Sequence, residues 1–458
     1  MGSETTSYSV KDIMAVEIAP AFGCTEPVAI ALSAAAAVSL LPDREIESIA
    51  VWVDPNIYKN GIAVLIPGAN GLSGLDVAAA LGAFGGDADL RLEVLRSLTE
   101  TGVAKANRFL EEKPVEVNIV RDRKGLFIRT VVKTHTDEAE CVIRGHHDNI
   151  VSLKLNGVET AEYPLPAPEA GTAPKANLEE VESWLRQLSF QRLLEFLDDL
   201  DSEDLEFLEK GIETNLRLAE YGLKFGSGLG VGKTFQRLVR QKLLQADMVV
   251  SARILTSAAS DARMAGVSLP AMSSAGSGNH GLTATLPIWA VKDYLACDRK
   301  TVLEAVGLSH LLTAYVKAHT GRLSAVCGCS IAAGAGAAAG IAYLLGGDLH
   351  HMASAVMNLV EDLAGIICDG AKPGCSLKLA TAAGTAVQAA LFAIHGVRVQ
   401  PTDGIIGASA EQTMRNVAEL STQGMIETDH TILKIMLEKK FHALQGSTST
   451  DTATPGRA

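Results

Sequence analysis

Residues 325–347, AVCGCSIAAGAGAAAGIAYLLGG, constrain the fold more than any other part of the chain, because they run 23 residues without a charge. Length alone permits a membrane crossing, which needs about 20 apolar residues. The composition points elsewhere. The run is mostly Ala and Gly, with little Leu, Ile or Val to favour lipid, and Gly336-x-x-x-Gly340 is a pattern that lets helices approach closely. A helix apolar all round is a buried one. The chain as a whole repeats the theme, with 47% hydrophobic but only 5% aromatic residues. Its apolar mass is therefore Ala, Val, Leu and Ile, which suits tightly packed helices. The expectation is a central helix of a large bundle.

The rest of the chain is organised around that helix. Residues 9–41 begin with SVKDIMAVEIAPAFGCTEP and continue into VAIALSAAAAVSLL, a helix of small residues, and Pro27 suits the first turn of that helix, where its missing N–H costs nothing. Strand-like alternation follows at 46–54, 62–68, 115–120, 126–135, 139–147 and 150–157, interrupted by helical patterns at 74–83 and 88–112. Residues 1–160 thus predict an α+β domain. Residues 161–177, with four prolines, predict a Pro/Ala-rich linker. Residues 178–445 carry helical spacing and predict a helical domain, and 446–458 read as a disordered tail. The fold class expected is α+β.

Net charge is −13, with no basic patch of the kind a nucleic-acid binder needs. The first residues lack a basic start and an apolar run, so no signal peptide is expected. Seven cysteines in a chain of 458 do not make a disulfide scaffold. A reducing cytoplasm, a small-molecule partner and no membrane are expected.

Several motifs bear on chemistry. GSGLGVGKT at 226–234 imitates a phosphate loop but misses its spacing, because the first glycine of that loop would fall on Ser227; a break between helices accounts for it. Cys141 with His146, His147 and Asp148 reads as a strand and an exposed hairpin end. His350 and His351 read as a capping turn, and Cys297 as an ordinary helix cysteine. SSAGSGNHG at 273–281 is a cradle of backbone N–H groups at a helix start, suited to a carboxylate or phosphate; Ser277, Asn279 and His280 lie in it. Cys24, Thr25 and Glu26 stand at a helix entrance before Pro27. Cys327 and Cys329 open the Ala/Gly-rich helix. Cys368 and Cys375 flank a loop bent by Gly370, Pro373 and Gly374. Thiols beside such a loop are either buried side chains or ligands of a metal or iron–sulfur cluster.

FGCTEP, PGANGLSG, GSGNHG, CGCSIAAG, ICDGAKPGCSLK and GMIETD together resemble the iron–sulfur L-serine dehydratase alpha-chain superfamily, and within it the serine-dehydratase-like or L-cysteine desulfidase branch. The resemblance spans residues ~10–435. It implies a [4Fe–4S] cluster held by Cys329, Cys368 and Cys375, with Cys327 the alternative to Cys329, and no pyridoxal phosphate. It implies Cys24 as catalytic base or labile ligand, Thr25, Glu26, Ser277, Asn279, His280 and Lys372 near the substrate, and a homodimer. The implied function is a β-elimination lyase, an L-cysteine desulfidase forming pyruvate, ammonia and sulfide. L-serine dehydratase is the alternative, and a non-enzymatic iron–sulfur sensor the second. Serine dehydratases carry Ser-Ser-Ser-His-Thr where this chain has Phe22–Glu26, and they can add a C-terminal cysteine that this chain lacks beyond Cys375. Both departures favour a thiol substrate. Because Cys24 stands at a helix start, its thiol is expected to titrate below its ordinary value.

Overall fold

The computed structural model describes residues 7–160 apart from 70 and 124, and residues 177–446 apart from 323. Of the expected linker only Asn177, and of the expected tail only Gly446, fall within the described residues.

The strands in chain order are β1 (Pro20–Ala21), β2 (Ser48–Val53), β3 (Glu116–Ile119), β4 (Phe127–Lys133), β5 (Glu138–Arg144), β6 (Ile150–Leu155), β7 (Val158–Glu159) and β8 (Ala271–Met272). Six of them form one mixed sheet in the order β3-β2-β4-β5-β6-β7, in which only β2 and β3 run parallel. The helix Thr25–Ser39 packs on β4 and β5. It is buried at every position but Ser39, which is why its sequence is a run of small apolar residues rather than an amphipathic stripe. From residue 178 the described chain is helical almost throughout, and the protein is α+β.

The helix Gly334–Leu344 is the buried centre expected from its composition, packed against the helices Arg299–Thr320, Leu349–Leu363 and Cys375–Ile394. Cys375–Ile394 is the one described helix long and apolar enough to cross a membrane, and 61% of its apolar window is buried inside the fold.

Three expectations about elements fail for local reasons. Residues 62–68 form turns with a single bridge, Leu65 to Ser73, instead of a strand; the segment is apolar because Val64 and Ile66 are buried. Residues 88–112 are not one helix. A short 3₁₀ segment, Ala88–Glu93, precedes a helix Glu100–Glu112 that starts at the Thr99 cap. Cys297, read as helical, lies in the loop before the Asp298 cap.

The first and last described helices cross between the sheet and the bundle. Val10, Ile13 and Met14 of the first helix, Val10–Glu17, pack into the helical core with Val181 and Leu185. Leu433 of the last helix packs into the core beneath the sheet. β1 pairs with β8 across the same seam. The chain order is thus α+β then α, while the seam is stitched by segments distant in sequence. The candidate site lies on that seam.

Candidate active site

One cavity, of about 80 Å³, is lined by Cys24, Thr25, Glu26, Ser277, Asn279, His280, Cys327, Cys329, Cys368 and Cys375. A water needs roughly 10–15 Å³ measured this way, so the space fits a ligand of several heavy atoms. Of the residues expected near substrate, only Lys372 is not on the wall. Its ammonium turns back to Asp369 within the bent loop, 3.0 Å from Oδ2. Lys378 stands on the wall instead, bonded to Ile367 O at 2.8 Å and to Asp369 Oδ1 at 2.5 Å.

Local backbone geometry gathers the thiols. Val326 and Ile367 form an isolated antiparallel bridge. Its bonds are Cys327 N to Ile366 O at 2.8 Å and Cys368 N to Ala325 O at 2.7 Å. Residues flanking a bridged pair share the face opposite to it, so Cys327 and Cys368 are presented together. Cys329 opens a π-helical turn, Cys329–Ala333, that leads into Gly334–Leu344; such turns often mark functional sites. Gly328 between the two cysteines has no room for a Cβ, which would overlap Nε2 of His280. Gly370 has φ of +92°, and a Cβ there would overlap the carbonyl of Lys59. The bent loop is therefore moulded to the sheet side. Cys24 meets it there, in a small apolar cluster with Val64, Met264, Ala371 and Cys375.

The backbone also points at the sulfurs. The backbone N–H groups of Ser330, Gly370 and Lys372 pull the pKa values of Cys327, Cys368 and Cys375 down, yet burial dominates at Cys368 and pushes it up, and it pushes Cys375, whose thiol donates to Gly370 O at 3.6 Å, up to about 12. Cys327 goes down to about 6, chiefly because the Cys329 thiol donates to it, and Cys329 goes up for the same reason.

Cys24 departs from expectation. It is the N-cap of Thr25–Ser39, as foreseen, but burial pushes its thiol up. The Arg263 charge acts the other way and is outweighed. At a fully buried helix start, lost hydration exceeds the pull of the helix dipole, which amounts to about 0.3–2 kcal/mol.

Four helix starts open on this cavity: Cys24, Ser277, Gly328 and Gly374 are their N-cap residues, and no side chain caps any of them. Such ends attract anions. Four cations share the wall: Arg263, Lys317, Arg322 and Lys378. Lys317 is 2% exposed, and burial pushes its pKa down to about 8. Burial works against Arg322, but Glu17 and Glu182, each at 2.8 Å, hold its charge. Arg263 donates through Nη2 to Gly23 O at 2.9 Å. Glu26 is the carboxylate on the wall, and it accepts from Asn60 at 3.0 Å and Thr25 at 3.2 Å.

Four buried polar atoms on the wall have no hydrogen-bond partner among the described residues: Asn60 Oδ1, His147 Nε2, Arg263 Nε and Asn279 Oδ1. Leaving each so costs about 1–3 kcal/mol, and gathered in one cavity they are an unfilled set of donors and acceptors.

Asn60, Arg263, Lys317 and Arg322 were not singled out by the sequence reading, and His147 and Lys378 were given no role at the site. His147, read as part of an exposed hairpin end, is 8% exposed; the tip between β5 and β6 is turned into the seam.

Among the described residues, no three His, Cys, Asp or Glu side chains converge on a point where a single metal ion would bind. A cluster is a different object, because its cysteines sit at separate corners. Four thiols on one small cavity, backbone N–H groups aimed at their sulfurs, and surrounding cations fit such a group.

Comparison with known proteins agrees with this setting. The serine dehydratase alpha chain family profile matches residues 91–434, and the chain belongs to that family. The UPF0597 protein of Desulfatibacillum aliphaticivorans is 60% identical over 95% of this chain and 99% of its own. UPF0597 protein DP0591 of Desulfotalea psychrophila is 60% identical over 94% and 99%, and UPF0597 protein CD630_32320 of Clostridioides difficile is 43% identical over 93% and 98%.

Proposed function

We propose that the protein is a β-elimination lyase acting on a small α-amino acid, with L-cysteine as substrate and pyruvate, ammonia and sulfide as products. It works with a [4Fe–4S] cluster and without pyridoxal phosphate. The carrying observation is that four helix starts without side-chain caps, four cations and five thiols meet at one small cavity. That surrounding suits two anionic objects, a thiolate-bound cluster and a substrate carboxylate.

Cys329, Cys368 and Cys375 hold the cluster, with Cys327 the alternative to Cys329. When bound, such a cluster supplies a Lewis acid that makes sulfide a better leaving group and the Cα proton more acidic. The chain's own groups do the rest. Arg263, Lys317 and Arg322 hold the carboxylate. Asn60 Oδ1 and Asn279 Oδ1 accept from the ammonium. Cys24, on the sheet side against the bent loop, is the catalytic thiol and gives a proton to the departing sulfide. Loss of the Cα proton and sulfide leaves aminoacrylate, which tautomerises and hydrolyses to pyruvate and ammonia. L-Serine dehydratase is the second reading, favoured by the family match, with hydroxide in place of sulfide.

Anaerobic purification with iron and sulfide analysis, followed by assays of pyruvate and sulfide release from each amino acid, tests this. Cysteine is expected to exceed serine in kcat/KM. Activity is expected to decay in air and to return with ferrous iron and reductant. A protein with a full cluster that forms pyruvate from neither amino acid sinks the reading.

A further inference from the structure

The hairpin joining β5 and β6 is shaped to carry one side chain across the seam. Its turn is closed by His146 N to Arg144 O at 2.8 Å and Arg144 N to Asn149 O at 3.1 Å. Gly145, with φ of +75°, bends it and donates to Leu126 O at 3.1 Å. Arg91 reaches Asp148 at 3.9 Å from the sheet side. From the bundle side, Glu182 and Arg322 act on the neighbouring His146. The product of this bracing is a buried imidazole, His147, on the same wall as Cys24 and Glu26.

His147 is 8% exposed, and its Nε2 has no hydrogen-bond partner among the described residues. The charged groups acting on it are Glu26, Arg322 and Asp148. A buried ring nitrogen left bare costs about 1–3 kcal/mol, and no packing need explains an imidazole here where an apolar side chain would serve. The other acceptors on the wall are engaged: His280 is tied through Nδ1 to Ser274 O at 3.2 Å, and Glu26 accepts from Asn60 and Thr25. Burial pushes the pKa of His147 down, which keeps the ring neutral and able to accept one.

We propose that His147 is a catalytic acid–base residue that takes the Cα proton of the bound amino acid. The inference rests on the elimination reading above. In the step, the Cα–H bond breaks and its proton goes to the ring. Its electron pair becomes the second Cα–Cβ bond. The Cβ–S bond breaks, and its pair leaves on hydrosulfide, which takes the Cys24 proton to depart as hydrogen sulfide. The proton on the ring then returns to the Cys24 thiolate, restoring both groups. The balance is one cysteine to one aminoacrylate and one hydrogen sulfide, with no oxidant or reductant.

The test uses the cluster-loaded full chain. His147→Ala and His147→Gln are compared with the parent in iron content, absorbance and thermal melting. Both are expected to keep the cluster and to lose at least ~10²-fold in kcat, the usual size of losing an acid–base group, with KM changed less than about threefold. Added imidazole is expected to restore His147→Ala in a concentration-dependent way and to leave His147→Gln, whose site is filled, unrestored. Kcat near that of the parent in either folded variant overturns the proposal. So does a rise in KM with kcat unchanged, which would make His147 a binding group, and so does an absence of imidazole rescue. If His147→Ala fails to fold, His147→Gln decides by its kcat. A parent protein inactive on both amino acids with a full cluster overturns the elimination reading instead, and this proposal with it.

Discussion

Helix starts at the periphery and helix starts at the cavity are built to opposite rules. Ser9, Asp54, Thr99, Asn177, Ser189, Asp201, Asp247, Asp298, Asp348 and Ser409 each cap a helix with a side-chain oxygen. Two further starts, Gly74 and Gly230, have glycine and no such cap. At the cavity none of the four is capped, although Ser277 is a residue type that caps well. A cap is worth about 1 kcal/mol, so the cavity forgoes stability that the periphery takes. At the Cys24 and Ser277 starts the first N–H groups and the dipole are left for a ligand; at the Gly328 and Gly374 starts the first N–H groups go to backbone carbonyls, those of Cys327, Lys372, Pro373 and Gly374, and the dipole alone remains.

The largest break in that comparison is expected at the thiols. Cys329, Cys368 and Cys375, changed singly to Ala, are each expected to abolish the visible iron–sulfur absorbance and all turnover. Cys141→Ala and Cys297→Ala, away from the cavity, are expected to keep both. A full iron count in Cys368→Ala would falsify the ligand assignment. Next in size is Cys24→Ser, expected to fold and keep its iron while losing at least ~10²-fold in pyruvate formation. Turnover near the parent's, with the cluster present, removes Cys24 from the mechanism.

A stability effect comes next. His310 is buried behind the cradle, its Nδ1 2.9 Å from Ser274 Oγ, and burial alone pushes its pKa down to about 4. A histidine depressed in the folded state leaves the unfolded chain holding more protons between that value and the ordinary 6.5. Stability is therefore complete above pH ~6.5 and is lost as the pH falls towards 4, by up to about 3 kcal/mol from this residue. Chemical denaturation across that range is expected to follow the trend, and His310→Asn to lessen its slope, with His280 and His319, also pushed down by burial, keeping the remainder. An unchanged slope in the variant removes His310 as the cause.

The smallest effects test the caps directly. Asp298→Ala at the periphery is expected to cost about 1 kcal/mol in unfolding free energy and to leave kinetics alone. Ser277→Asp at the cavity is expected to do the reverse, gaining a few tenths of a kcal/mol or more from the cap and dipole while weakening substrate binding by roughly tenfold. Unaltered binding in Ser277→Asp means that this helix end does not face the substrate carboxylate.

Much was decided by sequence alone. The alternation at 126–157 determined a sheet, because strand periodicity is a local consequence of burying one face. The uncharged 325–347 run determined a central helix, because Ala and Gly gain by close packing. The Asp369–Gly374 bend and the Cys24 helix entrance were legible because proline and glycine restrict or free the backbone where they stand. Tertiary structure decided the rest. His147, Arg263, Lys317 and Arg322 come from a hairpin, two helices and a loop, and nothing in their local sequence says that they meet. The titration of Cys24 was decided there too: the helix start belongs to the sequence, but the burial that pushes the thiol up comes from Val64, Met264 and the cysteine loop closing over it. Charge and proton affinity depend on how much water a group loses, and that loss is set by residues hundreds of positions away in the chain.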